Sequence, residues 1–497
     1  MSEVCNLVGL KNRVLGLHSY DNRAFATCSA IGLAVVVTII SICIIYGNYK
    51  QLLLSTVFIV LFLLCLKDIN RLLIIFIFFC VVLGNLELGV VAEVKGISIY
   101  PRDLFVFAIS LLGFYRLAEN WRSITLQEKL MLLFLSLIFF LFLLPVFQGR
   151  NYQSAGVEFR SLLIYAATFS FIGFLNDQDQ CLLLLKTMFI SISVYCVLYI
   201  SMYLWPGNPL RHFCPDYGSG YSVLSRLSYS SKTIFIMFPF YISAIVISPR
   251  GLSRWIYISF ILSSVVIILS MSRATWLIIF LSFPLQILVL KKKGAELFKR
   301  GDRIFWALFF GSICLLLFSL ASPVRFGIVK NRIESLFLIE KAGFGKYSTH
   351  VPGTLHSRYI SYEMILKEIK KKPLLGYGLG ESIQRSSSGK LQNIFEKTVD
   401  SSYLVYLHKG GIVLLFSFLA MICSILIKIA RKAKNANRSF EVFLSTSILF
   451  ALLNTMGLAI QDLILYSGLQ ICTICFIFAL VVQWESIFNT SSDSGSC

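Results

Sequence analysis

The sequence has 497 residues, 57% of them apolar and 14% charged. That leaves too little polar surface to solvate a soluble globule of this length, and the apolar residues fall in runs long enough to span a bilayer. The formal charge of +20 is spread over short loops between those runs, the pattern of membrane orientation rather than of a nucleic-acid surface.

In chain order, a polar stretch from Met1 to Arg23 precedes a first apolar run long enough to span, so that run is expected to be its own insertion signal rather than a cleaved peptide. Apolar runs follow near residues 25–46, 51–66, 72–92, 103–118, 129–147, 156–175, 180–205, 231–248, 255–271, 274–290, 304–321, 410–428, 440–460 and 463–484. The fold expected is an all-α polytopic integral membrane protein with 12 to 14 transmembrane helices. Residues 1–321 would hold helices 1 to 11 and an outer loop at 205–232. Residues 322–409 would form one long outer loop containing amphipathic helices, and 410–497 the last three helices and a cytoplasmic tail.

With both termini in the cytoplasm, 21 Lys and Arg of the short loops lie inside and nine outside, which favours that orientation. Most of the 13 cysteines lie within apolar runs, where thiols act as small hydrophobes. No disulfide is expected, and no Cys/His spacing suits a metal.

Three features then fall on the outer face. The loop "WPGNPLRHFCPDYGSGYSVLSRLSYSSK" carries Arg211 and Arg226; the turn "MSRATW" carries Arg273; the third is the long loop. Between Ser322 and Asp400 that loop has 13 basic and seven acidic residues, which reads either as solvated charge or as a funnel for an anionic substrate.

Within it, Tyr362, Ile365 and Ile369, flanked by Met364, make an apolar stripe from Arg358 to Lys372. Ser357 is the expected N-cap and Pro373 the stop. Such a helix lies on a bilayer rather than across it. Arg358 would occupy its first turn, where a cation opposes the helix dipole and an outside anion or a salt bridge would offset the cost. "GYGLG", with Gly376 and Gly378, follows a helix and stands outside any βαβ unit. It is therefore no nucleotide fingerprint, and its glycines allow a turn or a close backbone approach. His350 and His356 flank the start of this helix as loop residues, and Arg160 is placed to snorkel.

The stretch "SRYISYEMILKEIKKKPLLGYGLG" followed by "DSSYLVYLHKGGIVLLF" resembles the shared signature of the O-antigen ligase and O-antigen polymerase superfamily. "VKGISIYPRDL" and "MSRATW" are similar to further pieces of it. The resemblance implies a bacterial inner-membrane glycosyltransferase needing neither cofactor nor metal. Its donor would be a glycan on undecaprenyl pyrophosphate at the periplasmic face, transferred with inversion.

By that resemblance Arg273 and Arg358 would clamp the diphosphate, with Arg226 a third member; Arg211, His356, Gly376 and Gly378 would line the substrate site. A pyrophosphate leaving group needs charge neutralisation, which arginine's fork supplies. Ligases carry His-Asn where this chain has Asp400-Ser401, which fits the polymerase branch and makes Asp400 the residue expected to orient or deprotonate the acceptor hydroxyl. A helix N-cap is its other reading.

The alternatives are a ligase acting on lipid A core with His350 or His356 as base, and a lipid-linked oligosaccharide flippase. Against the flippase, or another transporter, the chain shows no internal repeat of the kind such folds commonly carry. The partners implied are the lipid-linked oligosaccharide, membrane lipid and a chain-length regulator.

Overall fold

A computed structural model describes residues 69–83, 92–94, 97–99, 101–148, 152–204, 231–247, 255–269, 273–293, 353–381, 384–387, 390–393, 401–460, 463–466 and 470–489. The expected spans at 25–46, 51–66 and 304–321 lie outside these residues, as do Arg211, Arg226 and Asp400.

Helices dominate. They are α1 (Ile69–Phe78, continued by a π turn, Phe79–Leu83), α2 (Pro101–Glu119), α3 (Leu126–Phe147), α4 (Tyr152–Leu163), α5 (Ala167–Phe174), α6 (Gln178–Leu204), α7 (Ser231–Ile247), α8 (Trp255–Leu269) and α9 (Arg273–Lys293). After these come α10 (Gly353–Lys371), α11 (Ser402–Asn435), α12 (Ser439–Ala459), α13 (Gln470–Val482) and α14 (Trp484–Asn489). Two short antiparallel hairpins accompany them: β1 (Ala92–Val94) with β2 (Ile97–Ile99), and β3 (Gln384–Ser387) with β4 (Lys390–Asn393). The polar segment after α10 thus holds a hairpin where only helices were expected.

Among the described residues five helices are long and apolar enough to cross a membrane: 126–147, 152–174, 178–201, 402–435 and 439–459. Four shorter apolar helices join them, at 72–82, 232–247, 256–267 and 470–482. The second of the five is α4 and α5 joined by a 3₁₀ turn, Ile164–Ala166. Local chemistry sets several ends. Thr125 accepts from the Glu128 amide at 3.3 Å while the Glu128 carboxylate accepts from the Thr125 amide at 2.8 Å, a capping box that starts α3.

Most polar groups inside the apolar bundle are paired, as a medium without water demands, although Thr168 Oγ1, Gln286 Oε1 and Thr473 Oγ1 are buried without a hydrogen-bond partner among the described residues. The Gln286 amide of α9 donates to Pro239 O (2.7 Å) and Ser243 Oγ (2.8 Å) of α7. Ser259 of α8 donates to Phe189 O of α6 at 3.1 Å and meets Tyr241 Oη of α7 at 2.7 Å. Phe134 stands edge-on to Tyr165 and Tyr406, which seals α3 against α5's approach and α11.

Contacts at the helix ends sort the bundle. Lys293 Nζ donates to the carbonyls of Lys434 and Ala436, Lys428 Nζ to Val482 O (3.1 Å), and Lys432 pairs with Glu485. Arg116 donates to Phe169 O (3.4 Å) and Gln483 to Ile172 O (2.9 Å). Among the described residues, Arg116, Lys293, Lys428 and Lys432, which the charge bias assigns to the cytoplasm, therefore gather at one end of the bundle. At the opposite end Tyr403 donates to Met456 O (3.0 Å), next to Gly457, which faces Ile278 of α9.

Candidate functional site

The site begins with a broken helix at that opposite end. Gly411 has φ 62° and ψ −163°, a conformation essentially closed to residues with a Cβ, and it interrupts α11. In an unbroken helix the amides of residues 412 and 413 would bond the carbonyls of 408 and 409. Here all four groups are released, and the segment that follows α10 takes them. Pro373 O and Leu374 O accept from the amides of Ile412 (2.8 Å) and Val413 (3.3 Å), while the amides of Tyr377 and Gly378 donate to His408 O (3.0 Å) and Lys409 O (2.8 Å).

The next amide completes the pattern. Pro145, inside α3, has no N–H, so Leu141 O lacks its helical partner; Leu379 N supplies it at 3.1 Å. A helix break at membrane depth is tolerated only when its freed groups find partners in protein, and this loop provides them.

Such a fit requires close approach. Gly376, at φ 62°, lies so near the break that a Cβ would stand 2.6 Å from His408 O. Gly378 faces Pro145. The close approaches of both expected substrate-site glycines are thus to the chain itself, Gly376 to backbone of α11 and Gly378 to Pro145 and the Leu141 carbonyl of α3.

The fourth amide, Gly380 N, donates to Glu158 Oε2 of α4 at 2.9 Å. Tyr466, in the buried turn between α12 and α13, donates its hydroxyl to the same oxygen at 2.7 Å. Glu158 Oε1 accepts from Lys409 Nζ at 2.6 Å, and that ammonium also donates to Glu381 O at 2.7 Å. The two side chains are 2% and 0% exposed. Four segments distant in sequence therefore meet at one ion pair. Nearby in sequence, Arg160 of α4 pairs with Asp103 of α2 at 2.9 Å, so the expected snorkelling guanidinium has a carboxylate partner.

In the same loop, Tyr377 stacks on the buried His408 with ring centroids 5.0 Å apart and carries Lys372 Nζ at 4.7 Å over its ring. Its hydroxyl donates to Glu368 Oε2 at 2.8 Å. The Lys371 ammonium, with help from this hydroxyl, holds the Glu368 carboxyl below its ordinary value.

The expected apolar stripe of α10 packs as read: Ile365 is buried, and Met364 and Ile369 rest on the core. Four expectations are corrected. The helix starts at Gly353, because no proline interrupts 353–371, so Ser357 is an interior residue rather than the N-cap. Arg358 is the sixth residue of the helix rather than part of its first turn, and His356 is helical rather than in a loop. The span expected at 410–428 is longer than hydropathy indicated, starting at Ser402 with Ser401 as N-cap, so Asp400 comes just before the cap in the sequence.

Arg273 is the first residue of α9, at the helix end remote from Lys293 and about one turn beyond Ile278. It therefore lies at the same end of the bundle as the start of α11. Sequence reasoning missed Glu158, Lys409 and Tyr466. The available signal was a carboxylate and an ammonium at the borders of apolar runs, where ionisable groups carry a high desolvation cost.

Residues 258–419 match the model of the O-antigen ligase family, about a third of the chain, reaching from α8 through α10 and the glycine loop past the break in α11. No curated protein matches the chain. Members of the matching family are glycosyltransferase-like enzymes of surface-polysaccharide synthesis. The segment holding Arg273, α10 and the loop-filled helix break is thus the part of the chain that is similar to the O-antigen ligase family, and the match supports the O-antigen ligase and polymerase superfamily for this multi-pass membrane protein.

Proposed function

We propose that the protein is an O-antigen or related surface-polysaccharide polymerase. It would join repeat units carried on undecaprenyl pyrophosphate at the periplasmic face of a bacterial inner membrane, with both termini in the cytoplasm. The observation that carries the reading is the match over 258–419, which includes Arg273 and Arg358, together with Asp400-Ser401 where ligases have His-Asn.

In this mechanism a hydroxyl of the acceptor unit attacks the anomeric carbon of the donor's first sugar. The new C–O bond forms on one face as the bond to the pyrophosphate oxygen breaks on the other, inverting that carbon. Arg273, Arg358 and Arg226 neutralise the charge that grows on the departing diphosphate. Asp400 orients the attacking hydroxyl and takes its proton. Arg211, His356 and the basic surplus of the long loop draw the anionic carrier in. A chain-length regulator is the expected protein partner.

A second reading, ligase, is favoured by the description of the matching family. Purified protein given lipid-linked repeat units separates the two. A ladder of products spaced by one repeat supports the polymerase, whereas transfer that occurs only once and only to lipid A core overturns it.

A further inference from the structure

A buried ion pair is weak grounds for stability, since desolvation offsets most of its attraction and apolar replacements of similar volume often fold as well. The Glu158–Lys409 pair therefore calls for a geometric reason, and the break in α11 supplies one. Residues 402–409 form a short helical piece cut from the rest of α11 at Gly410 and Gly411, so helix continuity does not fix its direction. Its N-terminal end follows Asp400. The 372–381 segment, which follows α10 and Arg358, is likewise irregular. Both are tied to α4 through one carboxylate: Lys409 Nζ at 2.6 Å from the short piece, and Gly380 N at 2.9 Å from the loop. Tyr466 fixes the second oxygen of that carboxylate at 2.7 Å.

We infer that Glu158 and Lys409 are positioning residues for glycosyl transfer. They set the pose of α10, which carries Arg358, and of the first turns of α11 relative to each other. Neither side chain is open to solvent, so neither touches substrate. The inference rests on the reading that transfer takes place at this end of the bundle.

The test uses the full chain in detergent or nanodiscs and the double variant Glu158→Gln/Lys409→Met, which removes both charges and strands neither. Two measurements are made: hydrogen exchange of the amides of 377–380, and steady-state elongation of lipid-linked repeat units. We expect exchange at 377–380 to rise by at least about tenfold as the latch opens. We expect kcat to fall by a similar factor while KM stays within about threefold, because substrate contacts remain and only their alignment is lost. A folded double variant with wild-type exchange, or with faster exchange and unchanged kcat, overturns the inference.

Should that variant fail to fold, Tyr466→Phe removes one hydrogen bond and no charge. Exchange at Gly380 and kcat are then expected to move in the same directions by a smaller factor, and unchanged values again overturn the inference. Wild-type protein that elongates nothing overturns the polymerase function itself, an outcome distinct from an active variant with an intact loop.

Discussion

Substituting Gly411 by alanine tests the fit between the loop and the helix break. At φ 62° and ψ −163° a residue with a Cβ is strained by about 1–3 kcal/mol. The new methyl would also overlap the Leu374 carbonyl. Moving that carbonyl away breaks the bonds from Ile412 N to Pro373 O (2.8 Å) and from Val413 N to Leu374 O (3.3 Å), each contributing about 1 kcal/mol. The total is roughly 3–5 kcal/mol, enough to lower the thermal midpoint of the solubilised protein by roughly 3–5 °C.

Gly457→Ala is the control. Its added Cβ would meet only Ile278, at 3.6 Å, within a regular helix, where alanine is favoured over glycine by about 0.5–1 kcal/mol. The assay is thermal unfolding followed by intrinsic fluorescence or size exclusion. A Gly411→Ala protein melting within about 2 °C of wild type, or both variants falling equally, would refute the reasoning that this one backbone conformation secures the loop.

Further outcomes are expected elsewhere. Arg273→Ala and Arg358→Ala should each cost about 2.7–4 kcal/mol in the transition state, a loss of roughly 10²–10³-fold in kcat, with poor rescue by lysine; near-normal polymer from a well-folded variant would remove that arginine from the clamp. Lys409→Met alone strands the Glu158 carboxylate and should destabilise by about 3–5 kcal/mol, more than the charge-free double variant does, as a thermal comparison of the two will tell. Glu368 has a folded-state pKa below its unfolded one, so its contribution is fully present above the ordinary carboxyl value and is lost as pH falls through the lowered value. Glu368→Gln should accordingly soften α10 at neutral pH and make little difference in acid, measured by hydrogen exchange over 362–371.

Much of the architecture was legible locally. Apolar run length gave the membrane class, the charge bias gave groups of basic residues that the helix ends then bring together, and the stripe at Ile365 and Ile369 gave the buried face of α10. The errors have physical causes. Hydropathy started the span after Lys409, because a lysine and two glycines look like a boundary, whereas the lysine is buried and the glycines are a break filled from outside the helix. Propensity started α10 at Ser357, because a good N-cap residue is only a local preference and nothing before it stops the helix.

What the sequence determined alone was carried by neighbours along the chain: the apolar runs, the stop of α10 before Pro373, the turns needing glycine, and the stretch that matches the family model. What the tertiary structure decided was which distant groups complete one another. The Leu141 carbonyl freed by Pro145, the amides and carbonyls freed at Gly411, and Glu158, 251 residues from Lys409, are each an unmet demand by themselves. In a medium that cannot hydrogen-bond them, these groups become tolerable only when the fold supplies their partners, and such a partner leaves no periodic trace in the sequence around either member.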